Sequence, residues 1–160
     1  MINEVDYDQV GADSGGFIEV ANTALESRTL EGIVLVLVNG DGTEYGRVAL
    51  SGTLAAGAYL VVDIDAQNGA PDGLALIELA DGTLVDALSY EGEIAVATID
   101  GRAYNLVEGT VLPVAVADSN TVNGSLSRIP DGADANNAAS DWVFTTTPTR
   151  GSANVPTAAA

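Results

Sequence analysis

The chain has 160 residues, 47% of them hydrophobic, which suits one domain with a substantial core. Twenty-three acidic residues face five arginines and no lysine, for a formal net charge of −18, and such a surface repels phosphate backbones and anionic lipid. Cysteine and histidine are both absent, which removes disulfides, thiolate and imidazole metal sites, and catalytic triads built on either residue.

Ile2–Tyr7 and Phe17–Asn22 read as two short strands joined by a Gly- and Asp-rich loop. Apolar and polar residues alternate in both, the period of half-buried antiparallel strands. With Val5, Ile18 and Val20 facing the core, Glu4, Asp6 and Glu19 fall on the outer face, and Asp8 and Asp13 sit in the loop beside them. Like charges opposite each other on a sheet are destabilising, so this cluster must be solvated, pair with arginine, or hold a cation.

Thr23–Glu31 is a polar connection with Leu25 and Leu30 as anchors. Ile33–Val38, six consecutive branched apolar residues, reads as a central strand buried on both faces. Asn39-Gly40-Asp41-Gly42 is a hairpin signal, because Asn-Gly and Asp-Gly accept the positive φ of tight turns. Thr43–Leu50 returns as a more polar strand, Ser51–Gly57 is a turn pinned by Leu54, and Ala58–Val62 is another buried strand. A second acidic loop, Asp63–Gly73, leads into Leu74–Leu79 and Thr83–Leu88, a hairpin about Ala80-Asp81-Gly82. Ile94–Ile99, Ala103–Val107 and Val111–Val116 are candidate strands, with Asp100-Gly101 as a turn. Ser125–Ile129 and Asp141–Thr145 close the series, the latter carrying the one tryptophan, Trp142, expected as a core plug. Arg128 is expected to pair with a carboxylate on a neighbouring strand. Residues 156–160 read as a linker or frayed tail after a domain spanning 1–155. Because Ile2 already opens a strand, Met1 reads as an added start, with a leader or preceding domain removed.

Strands with turn signals roughly every 8–12 residues predict an all-β, immunoglobulin-like antiparallel sandwich. Particular runs carry a resemblance that agrees. Ile2–Gln9 (INEVDYDQ) and Phe17–Asn22 (FIEVAN) resemble the opening hairpin of the lamin tail domain in its bacterial, secreted branch. Asn68–Asp72, Asp86–Gly92 and the SLSRIPDG run from Ser125 to Gly132 resemble later motifs of the same family, and Thr146–Val155 resembles its closing segment, with Arg150 where proline is usual. The resemblance implies an immunoglobulin-like sandwich and an extracellular or cell-surface location. It also implies a non-catalytic role in tethering, adhesion or partner binding as an accessory domain.

The residue types agree that the chain is not an enzyme. There is no lysine for a phosphate loop and no G-x-G-x-x-G run. A two-carboxylate hydrolase needs one carboxyl in a dry cleft with a raised pKa, which sequence does not show. Calcium is the one ligand the composition invites, since hard cations take carboxylate and amide oxygens from Asp/Asn/Gly loops. The EF-hand spacing is met by Asp6, Asp8 and Gly11 but fails at Val10 and Phe17, so a site would be irregular. Its candidate ligands are Glu4, Asp6, Asp8, Asp13 and Glu19. The expected partner is a protein or cell surface, with no direct nucleic acid and no membrane insertion. Two alternatives stand beside the accessory module: a self-associating subunit of a surface assembly, and part of a secreted nuclease or phosphatase whose catalysis lies elsewhere.

Overall fold

A computed structural model describes residues 1–159. In chain order its elements are β1 (Ile2–Asp6), β2 (Phe17–Ala21), β3 (Arg28–Thr29), β4 (Ile33–Asn39), β5 (Glu44–Ala49), β6 (Thr53–Leu54) and β7 (Tyr59–Asp63). They continue with β8 (Asp72–Glu78), β9 (Thr83–Tyr90), β10 (Ala97–Ile99), β11 (Arg102–Tyr104), β12 (Ser125–Arg128), the single-turn helix α1 (Ala138–Asp141) and β13 (Trp142–Thr145). The chain is all-β, as its alternation predicts. One sheet runs β13-β12-β1-β2-β7 and the other β5-β4-β8-β9, with antiparallel pairing throughout both.

The main core lies between these two sheets. Ile2, Val5, Ile18, Val20, Leu126 and Trp142 come from one side, and Leu35, Leu37, Leu74, Leu76 and Leu88 from the other. β4 supplies the reason for a third layer. Its odd residues enter this core, while Val34, Val36 and Val38 point the opposite way into a second apolar cluster with Ala75, Ile77, Ile94, Ala97, Ile99 and Leu106. The continuous branched run Ile33–Val38 is thus buried on both faces, as expected. The second face is covered by the β10–β11 hairpin, whose turn residues Asp100 and Gly101 both have positive φ (50° and 75°), the signature of a tight two-residue hairpin turn.

Several expectations need correction. Leu25 anchors nothing and is 98% exposed, whereas Leu30 is buried. The strand expected at Ala58–Val62 forms as β7, but at the sheet edge and only half-buried along most of its length. Val111–Val116 is irregular, although Leu112 inserts into the core. In β1 the pairing with β2 slips between Ile2 and Glu4, so Ile2 and Val5 both reach the core. Such a bulge sets two residues against one and breaks the period of two, which is why simple alternation put Ile2 outside. In the tail, the Thr157 hydroxyl accepts a hydrogen bond from the Thr146 N–H at 3.0 Å. The last residue of the expected 156–160 tail, Ala160, lies outside the described residues.

Candidate functional site

The β1–β2 register places Glu4 directly opposite Glu19 on the outer face of the five-stranded sheet. Strand alternation foresaw that face but not its covering, because both side chains are fully buried. The cover is the segment after β13, residues 146–155. Glu4 accepts the Thr149 N–H at 2.9 Å and the Ser125 hydroxyl at 2.6 Å through Oε1, and the Thr149 hydroxyl at 2.9 Å through Oε2. Glu19 accepts the Asn3 side-chain amide at 3.0 Å and the Gly151 N–H at 2.7 Å. Asp131, from the loop after β12, accepts the Asn154 N–H and the Asn3 amide, both at 2.9 Å, and the Tyr59 hydroxyl at 2.6 Å. Three carboxylates thereby grip one segment, which includes a turn at Thr149–Ser152, by its backbone amides. Asn154 completes the clasp by donating to the carbonyls of Asn3 (2.8 Å) and Arg128 (3.1 Å). Arg150 pairs with Asp63 and lies over the Phe17 ring, 5.3 Å from its centroid.

Burial sets the electrostatics of this clasp. It pushes the Glu19 carboxyl up to about 7, against the hydrogen bonds from Asn3 and Gly151, and the charges of Glu4 and Asp131 add to the rise. Burial works in the same direction on Asp131, but there the donors Tyr59, Asn154 and Asn3 prevail and hold it below the usual carboxylate range.

The other expected cation ligands lie further along the same hairpin. Asp6 accepts the Gln9 amide at 2.6 Å, and its carboxyl is raised chiefly by burial. Asp8 accepts the Asn68 amide at 3.1 Å, and Asp13 is exposed in the loop. Among the described residues, no group of three or more acidic side chains stands close enough to hold a metal ion. Glu4 and Glu19 meet each other, but amide and hydroxyl donors occupy their oxygens.

Two buried polar centres escaped the sequence reading in whole or in part. Arg128, foreseen as one half of an ion pair, is fully buried and serves a whole circle of acceptors. It bonds both Asp86 oxygens at 2.9 and 3.1 Å, the Ile2 carbonyl at 2.7 Å, the Ala133 carbonyl at 2.9 Å and Asp141 at 3.5 Å. Its guanidinium stacks on Trp142, 4.8 Å from the ring centroid, and Trp142 is the expected core plug. Beside it, Glu108 is pushed up to about 8, first by burial and then by the Asp86 charge. The second centre is Asp118, buried in a stretch with no periodicity to announce it. It accepts the backbone N–H groups of Tyr7 (2.8 Å), Asp8 (3.1 Å) and Ser119 (2.8 Å), and burial lifts it to about 7.

Of the remaining arginines, Arg47 pairs with Glu44 and Asp100, and Arg102 donates to the Asp81 carbonyl. No helix among the described residues is long and apolar enough to cross a membrane. Comparison of the chain with protein-family models, with curated proteins and with solved structures finds no match to any of them.

Proposed function

We propose that this chain is a non-catalytic, immunoglobulin-like module of the lamin tail type, serving as an extracellular tethering or partner-binding domain of a secreted or surface protein. The observation that carries the reading is how its buried carboxylates are used. Glu4, Glu19, Asp86, Asp118 and Asp141, five of the six buried carboxylates, each accept hydrogen bonds from donors of the fold itself, while the sixth, Asp72, keeps one oxygen, Oδ2, without a described partner. A general acid or base needs an oxygen within reach of a substrate proton, and the oxygens of those five face backbone amides and Arg128 instead. The runs that carry the family resemblance also supply several of these residues. The S-L-x-R-I-P-D-G run supplies Arg128 and Asp131, and the opening hairpin supplies Asn3, Glu4 and Glu19, so the resemblance follows residues that hold the sandwich shut. Fold analogy is an associational argument for a role, and the role needs its own test. The purified chain should show no hydrolysis of DNA or phosphomonoesters above a buffer blank. Turnover that disappears in Asp118→Asn or Glu19→Gln would overturn the non-catalytic reading. Fractionation of the source cells should recover the protein at the surface or in the medium, and a cytoplasmic pool would overturn the location.

Calcium enters this proposal only at the first hairpin. On the first hairpin it would have to displace the Thr149 and Gly151 amides from Glu4 and Glu19, or bind Asp6, Asp8 and Asp13 beside them. Thermal unfolding in calcium chloride against sodium chloride of equal ionic strength tests it. An added stabilisation that vanishes in Asp6→Asn with Glu19→Gln supports a site, and identical curves remove it.

A further inference from the structure

At the end of the sandwich near Met1, the two sheets part to leave a cleft of about 420 Å³. Its walls include Val20, Leu30, Leu54, Ile33 and Val85, and Arg28 and Glu78 stand at its lining. The apolar part belongs to the margin of the main core, since Val20, Leu30 and Leu54 are themselves core residues. Beside this hollow stands its converse. Asn22 and Arg28 both line the cleft, and the loop 23–27 that joins them leaves and re-enters at its edge. Leu25 sits in that loop, 98% exposed, the most exposed large hydrophobic side chain described. The loop is held in place: the Asn22 side-chain amide donates to the carbonyls of Glu26 (2.9 Å), Leu54 (2.9 Å) and Ala55 (3.1 Å). Leu25 is therefore a fixed projection.

The charges repeat this pattern. Among the described residues Arg28 is the one arginine with no carboxylate or carbonyl partner; the other four are all engaged. On the same rim, the Glu78 carboxylate accepts no described hydrogen bond, and it lies next to the exposed Leu79. A knob beside a hollow, and an unpaired cation beside an unpaired anion, make a patch complementary to itself. A two-fold axis through such a patch brings each knob to the other's hollow and each arginine to the other's glutamate, the geometry of an isologous dimer.

We propose that this end of the sandwich is a homodimer interface, in which Leu25 of one copy enters the cleft of the other and Arg28 pairs with Glu78 across the two-fold axis. A net charge of −18 on each copy opposes association at long range, so the dimer strengthens as salt screens that repulsion. Salt also weakens the Arg28–Glu78 pair, but the Leu25 contact is unaffected, and the net effect of moderate salt is to favour the dimer.

Sedimentation velocity from about 10 µM to 1 mM chain, in 0.05 and 0.5 M sodium chloride, tests this directly. The expected result is a monomer–dimer equilibrium whose dimer fraction rises at the higher salt. Leu25→Asp, on a side chain that touches nothing in its own fold, should return the chain to monomer, with a circular dichroism spectrum unchanged from the wild type. Arg28→Glu alone should weaken dimerisation by roughly tenfold or more, the effect of setting like charges together, and Arg28→Glu with Glu78→Arg should restore it. A chain monomeric at the highest concentration in 0.5 M salt overturns the proposal. So does a dimer that persists in Leu25→Asp, or one that the charge reversal fails to rescue.

Discussion

Glu4→Gln isolates the repulsion between the two facing carboxylates without disturbing the bonds around them. The Thr149 hydroxyl lies 2.9 Å from both Glu4 Oε2 and Asn154 Oδ1, with a single proton to serve two acceptors. In the glutamine variant, Oε1 keeps the Thr149 N–H and Ser125 hydroxyl bonds. Nε2 donates to the Thr149 oxygen, and the Thr149 proton goes to Asn154. Every partner remains satisfied, so the change in stability reports the charge. Residues opposite each other on a sheet have Cβ atoms about 5 Å apart, and two unit charges at a similar separation would repel by about 3 kcal/mol at an effective dielectric constant near 20. At pH 8.5 the variant should accordingly be more stable than the wild type by about 1–3 kcal/mol, or about 2–4 °C in melting temperature per kcal/mol. At pH 5 the sign should reverse. Glu19 is raised from 4.5 to about 7, so the folded chain holds a proton there that the unfolded chain has released. With Glu19 neutral the repulsion is gone, and the variant loses only the charge-assisted strength of the Glu4 bonds, about 1 kcal/mol. Urea unfolding at both pH values and constant ionic strength measures the difference. A variant destabilised equally at pH 5 and 8.5 would refute the pairing of charges beneath the clasp.

The wild-type chain should itself be more stable at pH 5 than at pH 8. Glu19, Asp118, Glu108 and Asp72 are raised to about 7, 7, 8 and 6, chiefly by burial, so stability is fullest below their ordinary values and is lost as the pH rises through those raised ones. A stability maximum above pH 7.5 in constant-ionic-strength urea titrations would contradict this. Arg128→Met leaves Asp86 and Asp141 buried without their cation and should cost about 3–5 kcal/mol, read as a lower urea midpoint; a change under 1 kcal/mol would show that the circle of acceptors carries little stability. Hydrogen exchange should be slowest in the amides of β4 and β8, which pair on both sides, and faster in the edge strand β7. Equal protection of β7 and β4 would argue against the edge position.

Residues whose role depends on local pattern were legible in the sequence, and residues whose role depends on distant coverage were not. Ile33–Val38 announces burial on both faces because six branched apolar residues leave no polar side for water. Trp142 and Arg128 could be placed as a plug and a pair from residue type and strand position. The faces of Glu4 and Glu19 followed from alternation, but their burial did not, since it is imposed by a segment 145 and 132 residues further on, respectively. A sequence window around the first hairpin holds no trace of Thr149, Gly151 or Asn154. The bulge at Asn3 was hidden for a related reason: Asn3 turns outward to serve Glu19 and Asp131, and those partners are defined only when the loop after β12 arrives. Leu25 shows that hydrophobicity alone does not make a loop residue an anchor, since nothing in its pattern distinguishes it from the buried Leu30. Asp118 gave no signal, because its partners are main-chain amides that any sequence supplies.

The clasp also fixes an order of events as the polypeptide is made. Residues 146–155 leave the ribosome after everything they fasten, so both sheets exist as tethered chain before the last amides arrive to meet Glu4, Glu19 and Asp131. Until then the two glutamates stand open to water on a sheet that is otherwise ready to pack, and each can keep its charge hydrated. Residues 146–155 can therefore close over the two glutamates only after the strands they cover have been made. Synthesis proceeds at about 5–20 residues per second, so the covering segment follows the end of β13 by about a second. During that interval Glu4 and Glu19 lack the amides of Thr149 and Gly151 and must be satisfied by water instead.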